Sequence, residues 1–254
     1  MKSFYLSFRD LVGFVNAARL RTKSFQTYKD FEEYQGYLLL KYLLSRGIST
    51  HNFRILDLGN GFGGQTIGMS HSHNYVVGLD LNYPPIKLST DQVRADALHS
   101  PFDPNSFDLI LTASLVEHLS DQKLLFKELY RLVKPDGYIY LSFPPFYSPV
   151  GGHGYAPFHY FGEKTAVFLS RLRNRLLNKK IFGKDVSLGD SYSSAYTNWG
   201  LYRTTIKNVK EQIRVSGFEI VDQSTKWFPL DFSKVPLIGE VLTWHVQFLL
   251  KKMS

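Results

Sequence analysis

The sequence predicts an α/β fold built on a mostly parallel sheet. Short apolar runs recur at 55–58, 75–80, 107–112 and 138–143, the first passing Asp57 and the second ending in Asp80. Stretches with apolar residues three and four apart lie between them, as at 121–132. Strand-like runs alternating with helical patterns are the signature of βαβ units. The first run, FRILDLGNGFGG, passes Asp57 and then places Gly59, Gly61, Gly63 and Gly64. A turn so free of side chains is expected where the backbone must come close to something.

Composition narrows the class. The chain has 254 residues, 44% hydrophobic and 20% charged, enough for one globular domain with an insertion. It has no cysteine, which excludes disulfides and thiolate-ligated metals. The net charge of +8 suits an acidic partner, nucleic acid or an anionic membrane, but fits many enzymes of small substrates too. No uncharged run approaches the roughly 20 residues that span a bilayer. The opening MKSFYLSFRDLVGFV is broken by Arg9 and Asp10 and lacks a small-residue cleavage site, so it does not read as a signal peptide. A cytoplasmic location, with membrane-peripheral contact as an addition, is expected.

Residues 1–24 have helical apolar spacing and a basic end, Arg19, Arg21 and Lys23. Residues 27–46 form a second predicted helix with Thr27 as its N-cap. Ile55, Leu56 and Leu58 read as a buried strand, with a helix from about Gln65 after the glycine turn. Gly59, Gly61 and Gly64 fit a dinucleotide fingerprint, while Gly59, Gly61 and Gly63 fit G-x-G-x-G. Asp57 separates the two readings: a carboxylate at the base of the turn repels a pyrophosphate but attracts a cofactor carrying a cation and an amino group.

Here the sequence resembles the class I (Rossmann-like) S-adenosylmethionine-dependent methyltransferases, whose first motif is acid-x-G-x-G-x-G. The resemblance continues over residues 53–143. Asp80 ends the YVVGLD run where the second strand of a βαβ unit should end, and its carboxylate suits ribose hydroxyls. Val93–Ala97 is a short predicted strand; in the family the acid there, Asp96, accepts from the adenine amine, and Ala97 supplies an N–H. Phe107–Thr112 and the following Ala113, Ser114, Leu115, Glu117 and His118 resemble the fourth-strand region of the type 11 subset. Lys134-Pro135-Asp136-Gly137 stands where that subset has K-P-G-G, before a strand from Tyr138 to Phe143. The resemblance implies a seven-stranded, three-layer sandwich of order 3-2-1-4-5-7-6, with strand 7 antiparallel. It implies a cofactor site of Asp57, Gly59, Asn60, Gly61, Gly63, Asp80, Leu81, Asp96, Ala97, Ser114 and Leu115. Tyr34 and Gln35 are the candidates for the residue that closes over the cofactor from the preceding helix.

The expected organisation is one domain over 1–254, with N-terminal helices in 1–50 and an insertion at 144–200 after the fifth strand. PPFYSPVGGHGYAPFHYFGEK is dense in aromatics, glycine and histidine, and its prolines forbid a regular element interior. It reads as a lid over the acceptor, with Phe146, Tyr147, Tyr155 and Tyr160 lining it, and the alternative is an aromatic mini-core capping the sheet edge. His118, His153 and His159 are the candidate bases. No metal site is expected, since cysteine is absent and His153 and His159 lack H-x-x-x-H spacing. Residues 170–184 carry Arg171, Arg173, Arg175, Lys179, Lys180 and Lys184, with Leu169, Leu172, Leu176 and Leu177 on one helical face, a solvated helix or a contact for anionic lipid. Residues 202–252 are expected to finish the sheet: a helix from Thr204 or Thr205 to Ser216, a strand at 218–224, a long connection and a strand at 244–251. Methyl transfer to a small-molecule, sugar or glycolipid acceptor follows as the expected function. The alternatives are an NAD-dependent oxidoreductase and a non-catalytic binding protein of the same fold. The missing N-P-P-Y motif after the fourth strand reads against base N-methylation and leaves other nucleic-acid targets open.

Overall fold

The computed structural model describes residues 4, 6–178, 180–185, 187–196, 199–228 and 230–253. Ser7 caps α1 (Phe8–Leu20) by accepting from the Asp10 N–H. Ser24, not Thr27, caps α2 (Phe25–Ser45); Thr27 is the third residue of the helix and completes a reciprocal capping box with Ser24. The sheet is entered through β1 (Arg54–Leu58), and α3 (Gly64–Ser70) returns the chain to β2 (Tyr75–Asp80) and β3 (Asp91–Arg94). β4 (Phe107–Ala113), α4 (Gln122–Leu132) and β5 (Val133–Phe143) follow.

After β5 the insertion folds into α5 (Glu163–Leu176) and a hairpin of β6 (Lys180–Ile181) and β7 (Lys184–Asp185). The chain then rejoins the sheet through α6 (Ile206–Val215), β8 (Phe218–Thr225), α7 (Ile238–Leu242) and β9 (Val246–Lys252). The large sheet runs β3-β2-β1-β4-β5-β9-β8. β1 to β5 pair in parallel, whereas β9 is antiparallel to both β5 and β8. With the hairpin set aside, this is the expected order 3-2-1-4-5-7-6, a Rossmann-like three-layer sandwich.

Three local readings shift. β3 occupies 91–94, so Asp96 lies just beyond it. The Lys134–Gly137 turn is a bulge within β5, which already pairs through Val133 before its register shifts. Asp136 adopts φ 60°, the left-handed geometry that the first glycine of K-P-G-G would provide freely. The long connection after β8 contains α7.

Alternation along each strand divides the core in two. Leu56, Leu58, Ile110, Ile139, Leu141 and Phe248 face α4 and α6, all fully buried. Ile55, Leu109, Leu111, Tyr140 and Leu249 face α1 and α2. Each such side chain contributes about 1.5–3 kcal/mol on burial. Period two therefore puts Asp57, between Leu56 and Leu58, on the α2–α3 side of the sheet.

The insertion has a third core of its own, with Phe146, Tyr155, Val167, Leu188 and Tyr192 among its members. The leucine face of α5 is its outward face. Ala166, Val167, Ser170 and Asn174 are buried, while Phe168, Leu172, Leu176 and Leu177 are exposed. Small residues pack α5 closely onto the insertion and leave the large apolar ones outside. Lys179 lies outside the described residues.

Candidate cofactor and acceptor site

The glycine turn closes the end of β1. The N–H groups of Gly59 and Asn60 donate to Leu79 O at 2.7 and 3.1 Å, fastening the turn to β2. Gly63 has φ +78°, and a Cβ there would lie 2.0 Å from Leu88 Cδ1. A Cβ on Gly64 would meet the Lys29 carbonyl oxygen at 2.2 Å, because α2 crosses directly over the start of α3. Gly63 therefore answers a backbone conformation, and Gly64 a helix approach.

Carboxylates converge on this turn. Asp57 is 3% exposed and accepts from Thr66 Oγ1 of α3 at 2.8 Å. Burial pushes it up to about 6, helped by the charge of Asp80. Asp80 accepts from the Gly61 N–H and the Asn82 N–H, both at 3.1 Å. Glu32 arrives from α2 and accepts from the Gly64 N–H at 3.2 Å. Its surroundings push it up to about 8, chiefly by desolvation, with Asp57 and Asp80 adding repulsion. Glu32 occupies the amide that a pyrophosphate on this turn would need, which argues against a dinucleotide. The chain's cation here is Lys226, 4% exposed, with burial lowering it to about 8.

The other candidate cofactor residues stand at the same ends of adjacent strands. Asn60 Nδ2 donates to Gln92 Oε1 at 2.6 Å. Leu81 is exposed just past Asp80. Asp96 is held by the Leu98 N–H at 2.9 Å, and Ala97 is buried beside it. Ser114 adopts φ 56° and donates its N–H to Ser142 O at 2.7 Å, an uncommon conformation that turns the chain sharply off β4. A Cβ on Gly59 would fall 2.8 Å from Leu115 Cδ1, so Leu115 lies against the turn.

Tyr34 does not close over the turn. Its hydroxyl donates to Asp10 O at 3.2 Å and its ring packs beside Gly13 of α1. The aromatic near the turn is Tyr28, two helical turns earlier, with its ring 4.8 Å from Phe62 inside the glycine sequence. Phe25 and Phe182 of the β6–β7 turn complete this group, Phe182 at 4.6 Å from Phe25 and 5.6 Å from Phe62. The Phe182 N–H also donates to Thr22 O at 3.0 Å. Gln35 is half-buried.

On the acceptor side, the candidate residues divide. Phe146 and Tyr155 belong to the insertion's core, and the Tyr155 hydroxyl donates to the carbonyls of Gly189 and Ser191 at 3.3 Å. Tyr160 is exposed and its hydroxyl donates to Tyr147 O at 3.1 Å. Tyr147 borders a cavity of about 1260 Å³, which lies between α6 and residues 233–241 rather than at the glycine turn. His159 is buried against Gly152 and Phe146.

His118 and His153 come together, with ring centroids 5.0 Å apart, and Glu117 stands between them. Burial pushes Glu117 up to about 8 and lowers His118 to about 4 and His153 to about 3. His118 Nδ1 lies 2.7 Å from Gly200 O, and the ring rests 4.1 Å from that of Trp199. Sequence spacing had set only His153 against His159 when a metal was considered. The grouping of Glu117, His118 and His153 depends on the insertion folding back onto the end of β4. Glu32, Lys226 and Tyr28 were likewise missed; the acid at Glu32, one helical turn after Tyr28, was the available signal.

Residues 56–141 match the family model described as "Methyltransferase domain". An uncharacterized methyltransferase of Mycolicibacterium gilvum is 28% identical over 129 residues, covering 48% of this chain and 51% of that protein. A ubiquinone biosynthesis O-methyltransferase of Yersinia enterocolitica is 28% identical over 116 residues, covering 41% and 48%. The chain thus spans about half the length of these curated relatives. In fold it is similar to the 1,6-didemethyltoxoflavin-N1-methyltransferase of Burkholderia thailandensis, solved with 1,6-didemethyltoxoflavin and S-adenosylhomocysteine (TM-score 0.53, 14% identity, covering 100% of this chain and 94% of that one). Sheet order, acid-flanked glycine turn and model match agree: residues 56–141 are similar to a methyltransferase domain of type 11, on the Rossmann-like fold shared by S-adenosylmethionine-dependent methyltransferases.

Proposed function

We propose that the chain catalyses methyl transfer from S-adenosylmethionine to an oxygen or nitrogen of a small-molecule, sugar or glycolipid acceptor. The observation that carries this reading is the convergence of Asp57, Asp80 and Glu32 on one side-chain-free turn. Crowded carboxylates of this kind are relieved by a cationic ligand. Asp57 and Glu32 would face the ammonium end, Asp80 the ribose, and Asp96 with Ala97 the adenine. Asn60, Leu81, Ser114 and Leu115 would line the crevice.

When bound, the donor supplies an activated methyl carbon and a neutral thioether leaving group. The chain's own contribution is alignment, for which about 7–11 kcal/mol is attainable. A hydroxyl acceptor must also lose its proton. His153, neutral and with Nε2 free of hydrogen bonds, is the candidate base, worth about 10²–10⁴-fold. His118, fixed by Gly200, would orient it, while His159 would support the insertion from its core. The names of the Yersinia and Burkholderia relatives, a ubiquinone biosynthesis O-methyltransferase and a 1,6-didemethyltoxoflavin-N1-methyltransferase, support a small-molecule acceptor. Calorimetric titration with S-adenosylhomocysteine tests the reading: micromolar binding supports it, and binding of NAD instead rejects it.

We also propose that the outward face of α5 rests on an anionic bilayer, making a cytoplasmic enzyme membrane-peripheral. Phe168, Leu172 and Leu176 are exposed there beside Lys164, Arg171 and Arg175. Large apolar groups interleaved with cations match the boundary between acyl chains and acidic headgroups. Among the described residues, no helix is long and apolar enough to cross a membrane.

A further inference from the structure

Glu117 is 1% exposed, and among the described residues neither of its carboxylate oxygens has a hydrogen-bond partner. Leaving such a group unsatisfied costs about 1–3 kcal/mol, and more if it is charged. Groups of this kind are retained where something beyond the chain satisfies them. Its neighbours are two imidazoles, with His153 Nε2 at 3.7 Å and His118 Nε2 at 3.9 Å from Glu117 Oε1. Both gaps are too long for hydrogen bonds. His153 Nε2 is itself buried without a partner. The three donor atoms all lie within 4.8 Å of one another.

The tautomer of His118 is set by its surroundings. A carbonyl oxygen can only accept, so the 2.7 Å contact with Gly200 O places the proton on Nδ1. The Nε2 lone pair then faces Glu117. Histidines that ligate metals are characteristically held this way, with the second nitrogen donating to a carbonyl. The turn is anchored as well, since the Glu117 carbonyl accepts from the Tyr202 N–H at 2.8 Å. Lys226 forms no ion pair with Glu117; among the described residues its hydrogen bond goes to Ser142 Oγ at 3.4 Å.

We propose that Glu117, His118 and His153 bind one divalent transition-metal ion, and that an oxygen of the acceptor completes its coordination. Two imidazoles and one carboxylate suit zinc, iron(II) or manganese rather than calcium. Three protein ligands leave a position open, as in catalytic zinc sites. Ligand atoms about 2.0–2.2 Å from one ion sit roughly 3–3.5 Å apart, so the observed spacing closes with small side-chain rotations. With His153 Nε2 on the ion, the ion replaces that histidine as the group that activates the acceptor: a hydroxyl bound to it loses its proton to solvent more readily, which narrows the acceptor to an oxygen nucleophile. The clause about the acceptor rests on the methyltransferase reading; the ion site does not.

The test uses untagged, chelator-treated full-length protein and Co²⁺ as the probe. Visible d–d absorption at about one Co²⁺ per chain, displaced by Zn²⁺, is the expected result. Glu117→Gln and His153→Ala should each weaken Co²⁺ binding about tenfold or more, with unchanged circular dichroism. Absent absorption, or equal binding by both folded variants, overturns the proposal. Titration with S-adenosylhomocysteine separates the two readings. Its binding without a Co²⁺ signal sinks only the ion, whereas a Co²⁺ signal without it sinks only the methyltransferase assignment.

Discussion

The Gly64 N–H donates to Glu32 Oε2 at 3.2 Å, tying α2 to the first turn of α3. Glu32 is pushed up to about 8 and Asp57 to about 6, so both hold protons more tightly in the folded chain than in the unfolded one. Between about pH 4.5 and 8 the unfolded state binds fewer protons at these two carboxylates, so their contribution to stability falls as pH rises; His118 and His153, held low by burial, act in the opposite sense below about pH 6.5. Each kcal/mol lost lowers the melting temperature by about 2–4 °C in a chain of this size. S-adenosylhomocysteine, which brings an ammonium group, should bind more tightly across the same window as the carboxylates ionise. Calorimetry from pH 5.5 to 8.5 checks this. Glu32→Gln should flatten the upper part of both profiles, and an unchanged profile removes Glu32 from the site.

Asp80 accepts two backbone N–H groups and keeps further lone pairs directed outward. Charge-assisted hydrogen bonds are worth about 1.5–3 kcal/mol each. Asp80→Ala should therefore weaken S-adenosylhomocysteine by about tenfold or more, measured by titration. Unchanged affinity in a folded variant contradicts its assignment to the ribose.

Gly63 combines φ +78° with a Leu88 methyl 2.0 Å from where a Cβ would sit. Gly63→Ala should cost about 1–3 kcal/mol in denaturant unfolding. A variant as stable as the parent would show that the turn is softer than its contacts imply.

The α5 face predicts co-flotation with vesicles of phosphatidylcholine and phosphatidylglycerol, but not of phosphatidylcholine alone. Phe168→Ser combined with Leu172→Ser should lower the bound fraction several-fold while leaving S-adenosylhomocysteine binding intact. Binding indifferent to these changes rules out that face.

The sheet was legible because its signals are local. Apolar runs, the acid before the glycines and the order of motifs over 53–143 each sit within a few residues. The insertion was less legible because its packing follows small residues: Ala166, Val167, Ser170 and Asn174 are buried on α5, and Ala, Ser and Asn carry little hydrophobic signal of their own. Tyr34 was misread because its hydroxyl answers to Asp10 on α1, a contact that helical spacing does not encode. Glu117 and His118 were visible as a dipeptide, but their pairing with His153 requires the insertion to return, which only tertiary structure reveals.

The rings of Phe25, Tyr28, Phe62 and Phe182 join α2, the glycine sequence and the hairpin in one aromatic latch. The β6–β7 hairpin and the glycine turn therefore share one packing contact, so a change at Phe182 is felt at Phe62.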